Sequence, residues 1–126
     1  TFVQHAAVAA LKGPFDDVKH MCAAFSERRN LICAMLNDIN DIAVERPAGT
    51  FYIFANMQPF IGKRFGQTII ADDLTLAETL LTEGHIATVA GTAFGAPDFI
   101  RLSFATSLEN IKEGVGRLRD VLTKLS

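Results

Sequence analysis

A chain of 126 residues with a net charge of −2, from 12 basic and 14 acidic side chains, has the size of one domain and no charge bias. That balance, with no basic run interleaved with aromatics, excludes nucleic acid and a polybasic membrane patch as first readings of its partners. Hydrophobic residues make up 49%, including ten Phe and one Tyr but no Trp, and the mean hydropathy of +0.24 is high enough to expect part of the surface to be covered by something else.

Phe2 to Leu11 is apolar almost all round and rich in Ala, and reads as a first helix. Lys12, Gly13 and Pro14 end it. A helix of that kind expects neighbours on most sides. A long second helix starts near Pro14, with Asp16 and Asp17 in its first turn to complement the dipole. Val18, Met21, Cys22, Phe25, Ile32, Cys33, Leu36 and Ile39 recur at helical spacing and form its apolar stripe. Arg28 and Arg29 fall in the one gap and read as a solvated face. The polar run from Asn37 to Asp41 ends the helix.

Cys22 and Cys33 on one helix stand about 16 Å apart along its axis, and a disulfide needs Cα atoms within about 7 Å. Free thiols are expected, and with them a reducing, cytoplasmic setting. His5, His20 and His85 are scattered and no Cys/His ligand spacing occurs, so no metal site is expected. No apolar stretch reaches the roughly 18 residues that span a bilayer, and no signal peptide is visible, so no membrane partner is expected. A first residue Thr1 suits a piece of a longer protein, although removal of an initiator Met would look the same.

Pro47 and Gly49 mark a turn, and Thr50 to Phe54 is a short aromatic strand. Asn56 to Thr68, with Pro59, Gly62 and Gly66, has no clean period and reads as a loop with at most one helical turn. Asp72 and Asp73 open a helix to Glu83, with Leu74, Ala77, Leu80 and Leu81 on one face and Gly84 as its cap. His85 to Val89 is a second strand, Gly91 to Pro97 a loop of small residues, and Phe99 to Phe104 a third strand. Ser107 caps a final helix striped by Leu108, Ile111, Val115, Leu118, Val121, Leu122 and Leu125. The expected fold is α+β: a three-stranded, mainly antiparallel sheet with helices packed on one side, plus a long N-terminal helix.

The third strand alternates. Ile100, Leu102 and Phe104 face one way and belong to the core; Phe99, Arg101 and Ser103 face the other. An arginine among aromatics on a short strand suits a carboxylate, because its planar fork meets both oxygens at once. Spacing alone favours a solvated or structurally paired arginine over that clamp.

Three stretches taken together narrow this. Gly49-Thr-Phe-Tyr-Ile-Phe, then Leu80-Leu-Thr-Glu-Gly-His-Ile-Ala-Thr-Val-Ala-Gly-Thr-Ala-Phe-Gly, then Ile100-Arg-Leu-Ser-Phe-Ala resemble, in order and spacing, the small domain of fold-type I, class I/II aminotransferases of the aspartate aminotransferase type. Gln4 with the Ala-rich helix after it, and Arg28-Arg29, fit the same pattern. The resemblance covers essentially the whole chain, and it departs mildly where Ala90 stands for a usual Pro and Thr92 for a frequent Ser.

The resemblance implies that Arg101 binds the substrate α-carboxylate. It implies pyridoxal 5′-phosphate in the full-length enzyme, bound through a lysine in a Ser-Lys context. Lys12, Lys19, Lys63, Lys112 and Lys124 all lack that context. The chain is then expected to be the C-terminal part of a longer homodimeric enzyme acting on an amino acid and a 2-oxo acid. Residues 1–41 would come from the interdomain helical region and residues 47–126 would form the small domain, with the cofactor-bearing large domain missing and no activity alone. Aspartate is the expected substrate, with prephenate, aromatic or alanine substrates as alternatives. A free-standing α/β ligand-binding or interaction module, or another fold-type I enzyme such as a lyase or an acyl-CoA condensing enzyme, remain as other readings.

Overall fold

The structure, a computed structural model, describes residues 1–126. Helix α1 spans Phe2–Lys12 and α2 spans Asp16–Asn37. They are followed by strand β1 (Tyr52–Asn56), a 3-10 turn (Gln58–Phe60), and a small hairpin of β2 (Arg64–Phe65) and β3 (Thr68–Ile69). Helix α3 (Asp73–Gly84), β4 (Val89–Ala90), a second 3-10 turn (Gly91–Phe94), β5 (Phe99–Ser103) and α4 (Leu108–Leu122) complete the chain.

The main sheet has the order β1-β5-β4, with both pairings antiparallel. Its register puts Ile53 opposite Leu102 and Ala55 opposite Ile100, all buried. These residues join the C-terminal half of α2, the inner faces of α3 and α4, and Phe104 in one core. Helices α2, α3 and α4 thus pack on one side of a three-stranded sheet, as the alternating pattern of β5 and the stripe of α4 predict.

Helix α4 follows its sequence closely. Ile111, Val115, Leu118, Val121 and Leu122 are buried, Leu125 follows just beyond, and the Ser107 hydroxyl accepts from the Asn110 N–H. Gly114 and Gly116 have open space where a side chain would go, so packing does not require them. They weaken the helix by about 1 kcal/mol each. One buried Leu contributes about 2 kcal/mol, so the stripe outweighs both.

Helix α3 buries only part of the expected stripe: Leu80 belongs to it, Leu76 does not. Leu76 and Leu80 are fully buried, whereas Leu74 and Leu81 are 57% and 55% exposed. Both pairs fit a helical period, so periodicity could not choose between them. The tertiary contacts choose, because Asp73, Leu76 and Leu80 lie three and four residues apart on the buried row. Gly84 is the last helical residue, and the left-handed cap is His85 with φ 53°. A Cβ on Gly84 would come within 3.0 Å of the side chains of Ile86 and Val121, so that glycine serves the close approach of α3 to α4.

Other expectations shift. The second strand shrinks to Val89–Ala90, since His85 and the Ile86 N–H, bonded to the Leu80 carbonyl at 3.0 Å, still belong to the end of α3. The expected loop after β1 holds the β2/β3 hairpin, with Gly66 at φ 58° in its turn. Arg64 in turn exchanges two backbone hydrogen bonds with Ser126. At the turn before β1 the left-handed residue is Thr50, φ 63°, and not Gly49.

Only the second half of the α2 stripe is covered: Ile32, Cys33 and Leu36 are buried, but Val18 and Met21 are exposed. Arg28 and Arg29 do not form a solvated face. Arg28 lies 5.2 Å from the centre of the Phe25 ring, and Arg29 donates to the Pro47 carbonyl at 3.2 Å. Helix α1 has no buried residue, with Phe2 82% and Leu11 74% exposed. No helix is long and apolar enough to cross a membrane.

Asp72 caps α3. Its carboxylate accepts from the Thr75 N–H and from the Thr75 hydroxyl, both at 2.7 Å. The Thr75 N–H first, and the Thr75 hydroxyl second, hold the Asp72 pKa below its ordinary value. A depressed carboxyl pKa gives stability that is present above the unfolded-state value and is lost as pH falls through the folded one. Asp72→Asn keeps a cap acceptor but cannot titrate. It is expected to flatten the loss of stability on acidification between about pH 5 and pH 2, read as urea midpoints across that range.

Candidate functional site

The open face of the sheet carries one cation. Arg101 sits at the middle of β5, in register with Phe54 on β1 and Val89 on β4. Its guanidinium carbon lies 4.3 Å from the centre of the Tyr52 ring and 4.3 Å from the centre of the Phe94 ring. Phe94 in turn meets Phe54 edge-on, with centroids 5.7 Å apart and planes at 88°. The half-buried arginine is therefore held between two aromatic walls, a geometry in which ring quadrupoles favour the cation.

No carboxylate competes for it. The ion pairs of the molecule are Lys19–Asp16, Arg117–Glu113 and Arg119–Asp38, and Arg101 belongs to none of them. Its fork of N–H donors is thus free to meet the two oxygens of an incoming carboxylate side by side. Tyr52 and Phe54 also line a groove of about 850 Å³ between β1 and residues 43–50, where Glu45 and Arg46 supply the charges. The Phe51 ring packs on Tyr52 at 4.3 Å and on Phe25 of α2 at 6.2 Å. This aromatic chain supports the Tyr52 wall from behind.

The Phe94 wall depends on the turn Gly91–Phe94. Gly91 is buried, and a Cβ there would strike the Ala96 carbonyl oxygen and stand 2.8 Å from both the Cβ and the carbonyl oxygen of Phe99. The Ala96 N–H closes the turn on the Gly91 carbonyl at 3.0 Å. Asp73 ties the turn to α3. One of its carboxylate oxygens accepts from the Thr92 N–H and the other from the Thr92 hydroxyl, both at 2.7 Å. Asp73 is 1% exposed, and a buried carboxylate is tolerable only when its oxygens are bonded in this way.

Of these residues only Arg101 was marked by its own sequence pattern. Tyr52 joins it through the β1–β5 register, and Phe94 through a turn whose path no periodicity describes. Asp73 had one signal, being the second carboxylate of an Asp-Asp pair of which only one can cap the helix. No group of three side chains suited to a metal ion occurs.

Comparison with known proteins bears on the chain as a whole. The family model for aminotransferase class I and II matches residues 1–118. The chain is 37% identical to an aspartate aminotransferase of Streptomyces avermitilis, over 94% of this chain and 29% of that protein. It is 39% identical to a probable aspartate/prephenate aminotransferase of Aquifex aeolicus, over 99% of this chain and 31% of that one. The solved aspartate aminotransferase from Rhizobium meliloti superposes with a TM-score of 0.92 at 36% identity, over 98% of this chain and 31% of its own. The chain thus spans about 30% of the length of these relatives. A family match over residues 1–118 and a superposition that covers 98% of the chain place it in the class I and II aminotransferase family.

Proposed function

We propose that this chain is the small domain of a pyridoxal-phosphate-dependent aspartate aminotransferase, and that Arg101 receives the α-carboxylate of the substrate. The observation that carries this is the Arg101 guanidinium itself, clamped between Tyr52 and Phe94 on the non-core face without a counter-anion. An amino acid and the 2-oxo acid made from it share that carboxylate. One clamp therefore serves both halves of a transamination. By fixing the carboxylate, Arg101 sets the orientation of the adjoining Cα, where the chemistry occurs; such positioning contributes several kcal/mol when the geometry is right. Names of relatives favour aspartate, with prephenate as a second substrate.

The residues of this chain do not fit the cofactor by themselves. Lys12 lies on α1 and Lys19 on α2, paired with Asp16; Lys63 stacks over Phe60; Lys112 lies on α4 and Lys124 beyond it. None stands on the strands that carry Arg101 and its walls. Under the proposal the cofactor and its lysine belong to a large domain, which the uncovered faces of α1 and of the first half of α2 would contact. Residues 1–41 are then the interdomain helices and residues 47–126 the small domain of a homodimeric enzyme. The free thiols Cys22 and Cys33 suit a cytoplasmic home.

The test is direct. The full-length protein loaded with pyridoxal phosphate is expected to transfer the amino group of L-aspartate to a 2-oxo acid, while residues 1–126 alone transfer none. Failure of the loaded full-length protein with aspartate, aromatic amino acids and alanine alike would reject the aminotransferase function. Transfer by the 126-residue chain alone would reject the division of labour.

A further inference from the structure

We infer that Asp73 is a positioning residue for the carboxylate clamp, acting through Thr92 and Phe94. This rests on the proposed role of Arg101 and deepens it.

Phe94 is an unusual wall. It is 48% exposed, so burial alone does not hold it, yet its ring lies at stacking distance from Arg101. Besides its edge-on contact with Phe54, what holds it is the short turn on which it stands, three residues after a glycine and directly before Gly95, which has φ 73°. The turn has only a few anchors. Its backbone is closed by the Ala96 N–H on Gly91 and the Gly95 N–H on Thr92. Beyond the close packing of Gly91 on Phe99, the hydrogen-bonded tie to the rest of the domain is the pair of bonds from Thr92 to Asp73, nineteen residues earlier in the chain.

Capping does not account for Asp73. Asp72 already caps α3, and the Asp73 oxygens point to the turn instead. The carboxylate gains from its place in the first turn of α3, where the helix dipole favours negative charge. A buried anion at a helix start that spends both oxygens on one residue of a distant turn acts as a fixed anchor for that turn. Without it the turn can move, the Phe94 ring can leave, and Arg101 loses one wall. A long side chain freed in this way must be ordered again each time a carboxylate binds, which weakens binding by up to about tenfold.

The weakening is specific in form. It falls on the group shared by all substrates, so KM rises by the same factor for the amino acid and the 2-oxo acid. The preference between different side chains stays constant. A purely structural role would lower the melting temperature and leave KM alone.

The experiment uses the full-length holoenzyme. Asp73→Asn is expected to raise both KM values by about twofold to tenfold, and Thr92→Val to raise them by less, since it keeps the backbone N–H; Thr92→Ser, which retains the hydroxyl, recovers most of that loss. The equilibrium Kd of a non-reacting dicarboxylate, succinate, is expected to rise in parallel. In a double-mutant cycle, Asp73→Asn adds little once Phe94→Ala is present, because both act through one ring. Should Asp73→Asn not fold, Thr92→Val and Phe94→Ala carry the same cycle.

Unchanged KM and Kd in a folded Asp73→Asn or Thr92→Val enzyme overturn the inference, as does full additivity with Phe94→Ala. Arg101→Lys tests the clamp independently of its anchor. If Arg101→Lys changes KM and the anchor variants do not, the anchor role alone fails; if Arg101→Lys also changes nothing, the clamp itself fails.

Discussion

In the full-length enzyme, Arg101→Lys is expected to raise KM for the amino acid and for the 2-oxo acid together, by roughly tenfold to a hundredfold. The reason is geometric. Arginine offers a carboxylate two parallel N–H donors from a rigid plane, whereas lysine offers a compact point charge on a flexible stem. One charge-assisted hydrogen bond contributes about 1.5–3 kcal/mol, and each 1.4 kcal/mol is a factor of ten. The aromatic walls add to the loss. Tyr52 and Phe94 each stand 4.3 Å from a flat cation, and an ammonium does not fill that slot between two rings. Steady-state kinetics with both substrates varied decides the matter. Equal increases in both KM values support the shared carboxylate as the bound group, and unchanged constants remove Arg101 from the site.

Gly91→Ala is expected to destabilise the domain by about 3 kcal/mol. The mechanism is steric overlap with rigid atoms. The new methyl would strike the Ala96 carbonyl oxygen and approach the Phe99 Cβ and carbonyl oxygen at 2.8 Å. Two of those three atoms are backbone, and two belong to Phe99 in β5, two residues from Arg101. Relief therefore requires moving either the turn that carries Phe94 or the strand that carries the cation. Chemical denaturation of the variant and the parent measures the loss. A variant as stable as the parent would show that the turn has slack which its closing hydrogen bonds do not suggest. Gly114→Ala is the natural comparison, since nothing lies within 4 Å of that position.

The elements that could be read from the sequence are those in which one local signal is unopposed. Helix α4 has a serine cap and a single apolar stripe, and β5 has a clean alternation that separates Ile100, Leu102 and Phe104 from Arg101. Helix α3 shows the limit. Leu74 and Leu81 fit a helical face as well as Leu76 and Leu80 do, and only the packing against α4 and the sheet distinguishes them. The β2/β3 hairpin is too short to carry a period, and part of its support is the pairing of Arg64 with Ser126 at the far end of the chain.

Arg101 follows the same division. Its placement on the non-core face was already determined by the two-residue period of a strand, which any half-buried strand must obey. Its surroundings were not. Tyr52 reaches it through a register spanning almost fifty residues, Phe94 through the path of a tight turn, and Asp73 through two hydrogen bonds from another helix. Periodicity is a property of neighbours along the chain and survives without a fold. A clamp is a property of distances between segments, and those exist only once the sheet has paired and the turn has been anchored.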